Sequence, residues 1–292
     1  MVRMKLRALA KINLGLDVVR KREDGYHEVR MIMQTINMYD QLEIKKKHTA
    51  GIDVQTNLSY LPVNENNLVY KAAKMLMDEF HITQGVSIAL QKFIPVAAGM
   101  AGGSSDAAAT LVGINRLFNL GLSMQDLMER GVTIGADVPY CIMRGTALSE
   151  GIGEILTPLA PMPPCYILIG KPGISVSTKF VYGNLRANEL EQHPDIDGMV
   201  AALQEGSLEG VVSRMENVLE TVTIPEYPII EEIKACMKEN GACNALMSGS
   251  GPTVFGIFDD EEKAKQAKRA LRRSKLTKQL FLTTPYNNYG GK

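Results

Sequence analysis

The sequence predicts an α+β protein of two domains, and three patterns support that prediction. Three segments alternate apolar with polar side chains and are rich in strand-forming residues, namely residues 5–19, 29–46 and 86–92. Residues 66–80 carry apolar side chains at helical spacing, with Asn66 or Asn67 as the candidate N-cap. In the second half, apolar strand candidates are separated by helical stretches, which is typical of an α+β sandwich of the ferredoxin-like type.

A run of prolines marks the predicted domain boundary. Residues 159–164 have the sequence LAPMPP, and three prolines in four residues cannot continue a helix or a central strand. A chain of 292 residues is long enough for two domains of ordinary size. We therefore predict an N-terminal domain over residues 1–159 and a C-terminal domain over residues 160–292.

The remaining elements follow from the same patterns. In the first half we expect a helix after Ser104, a helix over 123–131 and a strand over 138–148. In the second half the apolar runs predict strands over 166–170, 245–247, 253–258 and 279–283. The stretches between those strands predict helices over 177–187, 195–220, 226–240 and 259–274.

Composition argues against several classes of function, although a local basic cleft remains possible. There are 32 Lys and Arg against 32 Asp and Glu, so the chain lacks the basic excess that a nucleic-acid-binding protein normally has. The four cysteines form no CxxC pair and predict reduced thiols rather than a zinc site. We find no signal peptide and no apolar stretch long enough to span a membrane, so we expect a cytoplasmic protein with no membrane partner.

The most informative segment is a glycine-rich loop. Residues 95–109 have the sequence PVAAGMAGGSSDAAA, in which glycines precede two serines and an alanine-rich helix. We expect Ser104 or Ser105 to cap that helix, whose free N–H groups would bind an anion such as phosphate. The segment is not a Walker loop, because it lacks the required lysine. An ordinary Gly-Ser turn before a helix is the alternative.

Three segments together resemble the GHMP kinases, the superfamily of galactose, homoserine, mevalonate and phosphomevalonate kinases. They are ALAKINLGL at 8–16, the loop at 95–109, and NALMSGSGPTVFG at 244–256. The resemblance implies a two-domain fold whose N-terminal domain is like domain 2 of ribosomal protein S5 and whose C-terminal domain is a ferredoxin-like α/β sandwich. It also implies ATP-dependent phosphorylation of a small molecule, with Mg²⁺ accompanying the nucleotide.

By the same resemblance, ATP is bound by the loop. The residues concerned are Pro95, Val96, Ala97, Ala98, Gly99, Met100, Ala101, Gly102, Gly103, Ser104 and Ser105. Met100 stands where the family pattern has Leu, a swap that nearly conserves side-chain volume. The metal ligands are not identified by the sequence, since Mg²⁺ commonly keeps several waters and binds phosphate oxygens with one or two carboxylates.

Within the superfamily, the resemblance is strongest to members that phosphorylate the 2-hydroxyl of a cytidyl-linked methylerythritol in non-mevalonate isoprenoid synthesis. AKINLGLDV at 10–18, DGYHEV at 24–29 and IGADVPY at 134–140 carry it. Two alternatives remain, another GHMP kinase of the homoserine or phosphomevalonate type, and a non-catalytic nucleotide sensor on the same fold. The implied partner is a small molecule, and we expect a monomer or a weak homodimer.

Two residues are the candidate catalytic groups. Asp137 follows Gly-Ala in a turn, and the resemblance makes it the general base that accepts the proton of the attacking hydroxyl. The alternative is an aspartate that only stabilises a turn. Lys11 lies between apolar residues, and the resemblance places it beside Asp137, with its charge near the transferring phosphoryl group. Its alternative is a solvated lysine on an edge strand.

The candidate acceptor-binding residues lie in two segments. Asn13 shares a strand face with Lys11, and Tyr26 and His27 follow the turn at 24–25. The resemblance implies that this segment meets the cytosine ring by stacking and by polar contacts to its edge. Thr178 and Tyr182 belong to the second segment, in which Phe180 competes with Tyr182 as the other stacking ring. Three histidines lack a motif and are interpreted as surface or hydrogen-bonded residues, namely His48, His81 and His193.

Overall fold

The computed structural model describes residues 3–287, and its first half is built on two long strands. Strand β1 spans Arg3–Lys21 and strand β2 spans His27–Lys46, and the two strands pair with each other. The turn between them closes through a hydrogen bond from the Arg22 amide to the Tyr26 carbonyl (2.8 Å), with Gly25 at a φ of 86°. That left-handed backbone favours glycine because it has no Cβ. The strands predicted over 5–19 and 29–46 are therefore confirmed.

The other elements of the first half follow in chain order. They are β3 (Ile52–Thr56), α1 (Leu68–Glu79), β4 (Val86–Gln91), α2 (Gly102–Phe118), α3 (Met124–Gly131), α4 (Val138–Met143), β5 (Thr146–Glu150) and β6 (Ile155–Pro158). Helix α1 is capped by Asn67, whose side chain accepts a hydrogen bond from the Val69 amide at 2.9 Å. The structure thus selects Asn67 from the two predicted caps.

The second half alternates strands with helices. The elements are β7 (Tyr166–Lys171), α5 (Thr178–Asn184), α6 (Ile196–Gln204), α7 (Leu208–Val212), α8 (Glu220–Glu226), α9 (Ile229–Glu239), β8 (Asn244–Met247), β9 (Val254–Phe258), α10 (Glu261–Ser274) and β10 (Gln279–Thr283). The four strands predicted in this half are confirmed to within a residue at each end.

The described chain forms two compact units. The first comprises residues 3–10, 38–96 and 101–143, and the second comprises residues 11–37, 97–100 and 144–287. Strands β1 and β2 contribute to both units, so this division does not test the domain boundary at 159/160, which stays a prediction.

The first unit packs helices on part of a sheet. Strand β4 pairs in parallel with β3 and antiparallel with residues 41–46 of β2. Helix α2 lies close to the strands at Gly113, where a Cβ would be 2.6 Å from Ile44 Cδ1 and 2.9 Å from Leu6 Cδ1. Burial of these apolar surfaces stabilises the unit by roughly 25 cal/mol for each square ångström removed from water. Helix α1 covers α2 with the apolar residues Val69, Ala72, Ala73, Leu76 and Met77.

The second unit contains a four-stranded antiparallel sheet in the order β10-β7-β9-β8. With helices between β7 and β8 and with α10 between β9 and β10, this is the βαββαβ arrangement of ferredoxin-like folds. Residues 31–34 of β2 also pair with β5, which pairs in turn with β6. The predicted ferredoxin-like sandwich is confirmed.

Several predicted elements were wrong in type or extent. The helix predicted over 177–187 ends at Asn184, and the helix predicted over 226–240 begins at Ile229. Residues 138–148 form helix α4 before strand β5, because a short apolar run fits a buried helix as well as a strand. The single helix expected over 195–220 is divided into α6, α7 and the start of α8. Asp195 and Ser207 each accept a hydrogen bond from a backbone amide and begin a new helix. Helix α2 begins at Gly102 rather than after Ser104.

Over residues 3–287 we find no helix that combines the length and the apolar character needed to cross a membrane.

Candidate active site

Helix α2 begins in the glycine-rich loop, within the first unit. Its N-cap is Ala101, whose φ of 53° is left-handed and whose side chain makes no cap hydrogen bond. The expected serine cap was wrong because the buried Ser105 hydroxyl donates instead to the Leu9 carbonyl at 2.7 Å. A helix start that no side chain caps leaves its first N–H groups available to an anion. Gly102 and Gly103 place no side chain over those groups.

The turn that carries Asp137 lies against this helix start. A Cβ on Gly135 would be 3.8 Å from the hydroxyl oxygen of Ser104, which lies in the first turn of α2. The Asp137 carbonyl accepts from the Cys141 amide at 3.0 Å, so Asp137 leads into α4, and its side chain is half-buried. Local sequence had suggested a turn before a strand, whereas the carboxylate lies at the start of a helix that packs on α2.

Lys11 and Asn13 lie side by side on β1 in the second unit. Both are buried, with exposures of 5% and 0%, and the Lys11 ammonium donates to the Asn13 side-chain oxygen at 2.8 Å. The Asn13 amide nitrogen lies 3.4 Å from the sulfur of Met31. A buried lysine contradicts the alternative of a solvated edge lysine, because burial of a charge is costly unless the group has partners or a function.

The loop segment 97–100 meets the C-terminal motif in the same unit. The Ser248 hydroxyl donates to the Gly99 carbonyl at 2.9 Å, and the Lys11 amide donates to the Met100 carbonyl at 3.2 Å. A Cβ on Gly249 would lie 3.3 Å from the Gly99 carbonyl oxygen and 3.7 Å from the side-chain oxygen of Asn13. The three motifs quoted from the sequence therefore converge here.

Sequence reasoning missed Asn217, which supports this convergence. Its buried side-chain amide donates to the carbonyls of Met247 and Gly249, both at 2.8 Å, and its oxygen accepts from the Leu219 amide at 3.0 Å. These three hydrogen bonds use most of the hydrogen-bonding capacity of one amide side chain. They fix the backbone of the turn SGSG at 248–251. No local pattern marks Asn217, because its partners lie about 30 residues away along the chain.

The candidate acceptor residues also lie in the second unit. The rings of His27 and Tyr182 are 5.1 Å apart at an angle of 49°, and the Nε2 atom of His27 is buried without a hydrogen-bond partner. Burial and then the Lys21 ammonium hold the pKa of His27 below its ordinary value, which favours the uncharged ring. One ring nitrogen then donates while the other accepts, as a base edge requires.

Two aromatic rings near this pair are open to solvent. Tyr26 is 60% exposed and Phe180 is 40% exposed. Thr178 begins α5, and its hydroxyl lies 2.8 Å from that of Ser250 in the C-terminal motif.

The remaining histidines agree with their interpretation. His48 and His81 are exposed, and the ring of His193 is hydrogen-bonded to the buried Asp17 carboxylate at 2.8 Å. The roles of all the predicted site residues stay predictions, as do the cytoplasmic location and the monomer or weak homodimer.

The fold and these motifs agree with known proteins. The model for the N-terminal domain of GHMP kinases matches residues 67–145, and the model for the GHMP kinase C-terminal domain matches residues 199–277. The 4-diphosphocytidyl-2-C-methyl-D-erythritol kinase of Lachnoclostridium phytofermentans is 58% identical over 280 residues, which is 96% of each chain. The kinase of the same name from Lachnospira eligens is 55% identical over 97% of this chain and 98% of its own.

Solved structures give the same result. A crystal structure of a 4-(cytidine 5'-diphospho)-2C-methyl-D-erythritol kinase superposes with a TM-score of 0.84 at 32% identity, covering 98% of this chain and all of the other. A homoserine kinase from Cytophaga hutchinsonii, 19% identical over 98% of this chain and 95% of its own, has a TM-score of 0.74 and shows the shared fold alone. The predicted two-domain fold is confirmed, and the chain belongs to the GHMP kinases, within them to the 4-diphosphocytidyl-2-C-methyl-D-erythritol kinase family.

Proposed function

We propose that this chain transfers the γ-phosphate of ATP to the 2-hydroxyl of 4-diphosphocytidyl-2-C-methyl-D-erythritol. Curated relatives at 49–58% identity over nearly the full length carry the name of that kinase. The observation that carries the chemistry lies in the first unit, where the turn of Asp137 lies against the first turn of α2. The turn that carries the candidate base thereby lies close to the helix start that this proposal assigns to the phosphates.

Asp137 acts as the general base in this proposal. The acceptor hydroxyl gives its proton to the carboxylate, its oxygen attacks the γ-phosphorus, and the bond from that phosphorus to the bridging oxygen of ADP breaks. Because phosphoryl transfer needs little covalent help from the protein, positioning and charge dominate catalysis. The loop residues of α2 hold the phosphates by their backbone N–H groups.

Lys11 and Asn13 are assigned to the reacting groups in this proposal. The buried ammonium of Lys11 supplies positive charge to the transferring phosphoryl group, and its hydrogen bond to Asn13 fixes its direction. Asn13 binds the acceptor through the hydrogen-bonding capacity of its side-chain amide that Lys11 and Met31 leave unused.

Mg²⁺ enters with the nucleotide in this proposal. Among residues 3–287, no group of three or more His, Cys, Asp or Glu side chains is placed to hold a metal ion. Mg²⁺ would be held largely by phosphate oxygens and water with one or two carboxylates. When bound, the ion would neutralise charge on the phosphates.

Recognition of the cytidyl group is assigned to the aromatic cluster of the second unit. Tyr26 and either Tyr182 or Phe180 stack on the base, and His27 hydrogen-bonds its edge. The support is the exposure of two of these rings and the buried, unpartnered Nε2 atom of His27. Thr178, through its contact with Ser250, connects this cluster to the C-terminal motif.

The test of the function is ADP release by the purified protein with four acceptors. They are 4-diphosphocytidyl-2-C-methyl-D-erythritol, homoserine, mevalonate and phosphomevalonate. We expect turnover with the cytidyl compound only. Turnover confined to another acceptor would reassign the substrate, and ATP binding without acceptor-dependent turnover would favour the nucleotide sensor.

We expect Tyr26→Ala to raise the KM for the cytidyl acceptor by about 5- to 150-fold, since stacking on a base is worth roughly 1–3 kcal/mol. The KM for ATP should change little. The matched control is Tyr60→Ala, which removes a tyrosine that is 69% exposed in the first unit. Steady-state kinetics with each substrate varied in turn give the answer, and an effect on ATP alone would remove Tyr26 from the acceptor site.

A further inference from the structure

A buried cluster of three charged side chains lies in the first unit and has no part in the chemistry above. The Lys92 ammonium donates to Asp106 Oδ2 at 2.7 Å and also to Asp40 Oδ2. The side chains are almost wholly buried, with exposures of 4% for Lys92, 4% for Asp106 and 0% for Asp40. A buried ion cluster contributes little net stability, because desolvation offsets the attraction of the charges.

One end of the cluster fixes the chain that enters the glycine-rich loop. The second carboxylate oxygen of Asp40 accepts from the amides of Phe93 (2.5 Å) and Ile94 (2.8 Å). The Asn57 side chain holds the backbone of Lys92 by accepting from its amide (2.8 Å) and donating to its carbonyl (3.1 Å). Residues 92–94, just before Pro95, are therefore held by side chains from two directions.

The other end lies beneath the start of α2. A Cβ built on Gly102 would be 3.2 Å from the Lys92 ammonium nitrogen and 3.0 Å from Ile94 Cγ2. The ammonium thus lies immediately under the first residue of the helix, and Asp106 lies four residues further along the same helix. The N–H groups of this helix start are those that the proposed function assigns to the phosphates of ATP.

The cluster has one positive and two acidic groups. With both carboxyls ionised it would carry a net negative charge in the interior, and Asp106 Oδ1 has no hydrogen-bond partner. Burial raises the pKa of Asp106 to about 8 although the Lys92 ammonium opposes the rise, and the nearby Asp40 adds to it. Although burial opposes it, the carboxyls of Asp106 and Asp40 raise the pKa of Lys92. Burial thus favours the protonated form of Asp106 beside a charged Lys92.

The elements packed on α2 supply few other titratable groups. Helix α1 faces it with apolar residues, and its charged side chains Lys71, Lys74, Asp78 and Glu79 are exposed.

Helix α4 contributes the phenol of Tyr140 and the thiol of Cys141, both buried, after the half-buried Asp137. From α3, Glu129 is exposed, the half-buried Asp126 is hydrogen-bonded to Ser123, and Arg130 is paired with Glu79. Lys92 and Asp40 are therefore the charges that dominate at Asp106.

We propose that Asp40, Lys92 and Asp106 form a positioning cluster for the phosphate-binding turn, and that the nucleotide binds more tightly to the protein when Asp106 holds a proton. A triphosphate brings several negative charges to the start of α2, so an ionised Asp106 in that helix repels it while the protonated carboxyl does not. Binding then takes up a proton from solvent. This inference rests on the proposed function, since it needs ATP at this helix start.

The test is the affinity for Mg·ATP by calorimetry between pH 7 and pH 9. If the bound nucleotide raises the pKa of Asp106 by about one unit, Kd should rise about fivefold over this range. Asp106→Asn cannot ionise and should show a flat profile. The matched control Asp78→Asn removes an exposed carboxylate of α1 and should behave as the wild type does. Calorimetry at pH 8 in two buffers of different ionisation enthalpy should show proton uptake for the wild type and none for Asp106→Asn.

A second measurement needs no nucleotide. Because folding raises the pKa of Asp106, its stabilising contribution is complete below the pKa of the unfolded chain and is lost as the pH rises towards about 8. The urea midpoint of the wild type should therefore fall between pH 6 and pH 9 relative to that of Asp106→Asn.

The outcomes separate the inference from the function. A wild-type Kd that is flat from pH 7 to pH 9, or an Asp106→Asn profile like that of the wild type, would overturn the inference while ATP binding stands. No ATP binding at any pH would overturn the proposed function, and the inference with it. A relative urea midpoint that does not change with pH would show that Asp106 holds no proton, which also overturns the inference.

Discussion

Asp137→Asn should lower kcat by about 10²–10⁴-fold, which is the usual contribution of a positioned general base. The amide keeps the size of the side chain but cannot accept the proton of the attacking hydroxyl. The mutated side chain leads into α4, and the Asp137 carbonyl keeps its bond to the Cys141 amide, so the fold should be retained. Single-turnover rates at saturating concentrations of both substrates measure the effect on the chemical step.

ATP binding separates this loss from damage to the phosphate site. The Kd of Asp137→Asn for ATP should stay within a few-fold of the wild type, because the N–H groups at the start of α2 are unchanged. The matched control is Asp53→Asn, which removes an exposed aspartate of the same unit whose pair with Lys47 lies at the surface. If Asp137→Asn keeps more than half of the wild-type turnover, Asp137 is not the base.

Gly99→Ala should lower kcat/KM by about 10²-fold or more, because a displacement of about 1 Å at a positioned site can cost that much. A Cβ at this position would lie 2.1 Å from the carbonyl oxygen of Ser248, which is backbone and cannot swing away. The φ of Gly99 is 70°, a left-handed backbone that costs any other residue additional energy. The contact between the glycine-rich loop and the C-terminal motif must then open. Overpacking and backbone strain together should lower the free energy of unfolding by roughly 2–4 kcal/mol.

The comparison variant is Gly103→Ala in the same loop. Its Cβ would meet only Leu68 Cδ1 at 3.5 Å, an ordinary contact, and its backbone is not left-handed. We expect a far smaller loss of stability than in Gly99→Ala, as followed by urea denaturation of both proteins. Equal stability of the two variants would show that the Gly99 contact with Ser248 does not hold the loop in place.

The local elements of the fold could be predicted, but several boundaries could not. Alternation along β1 and β2, and the helical spacing of α1, depend on residues close in sequence, which is why those elements were predicted correctly. Helix α4 was predicted as a strand because its six residues are too few for a helical period to be distinguished from a buried strand. The start of α2 was misplaced because Ser105 satisfies a carbonyl of β1 in preference to its own helix end.

The same distinction holds for the candidate site. The glycine-rich loop, the candidate base Asp137 and the candidate lysine Lys11 could be proposed from the sequence because each lies in a motif of consecutive residues. Asn217 and the cluster of Asp40, Lys92 and Asp106 were not found, since each depends on partners 14 to 52 residues away. Such residues have no local signature until the chain has folded.

The sequence by itself determined the α+β class, most of the strands and helices, and the motifs of a GHMP kinase, because those depend on residue types at short spacing. Only the tertiary structure decided that Lys11 is buried against Asn13, that Gly99 must be glycine to meet Ser248, and that a lysine with two carboxyls lies under the start of α2. Burial and long-range packing set those three features. They depend on which distant segments exclude water from one another, and the order of residues along the chain does not display that.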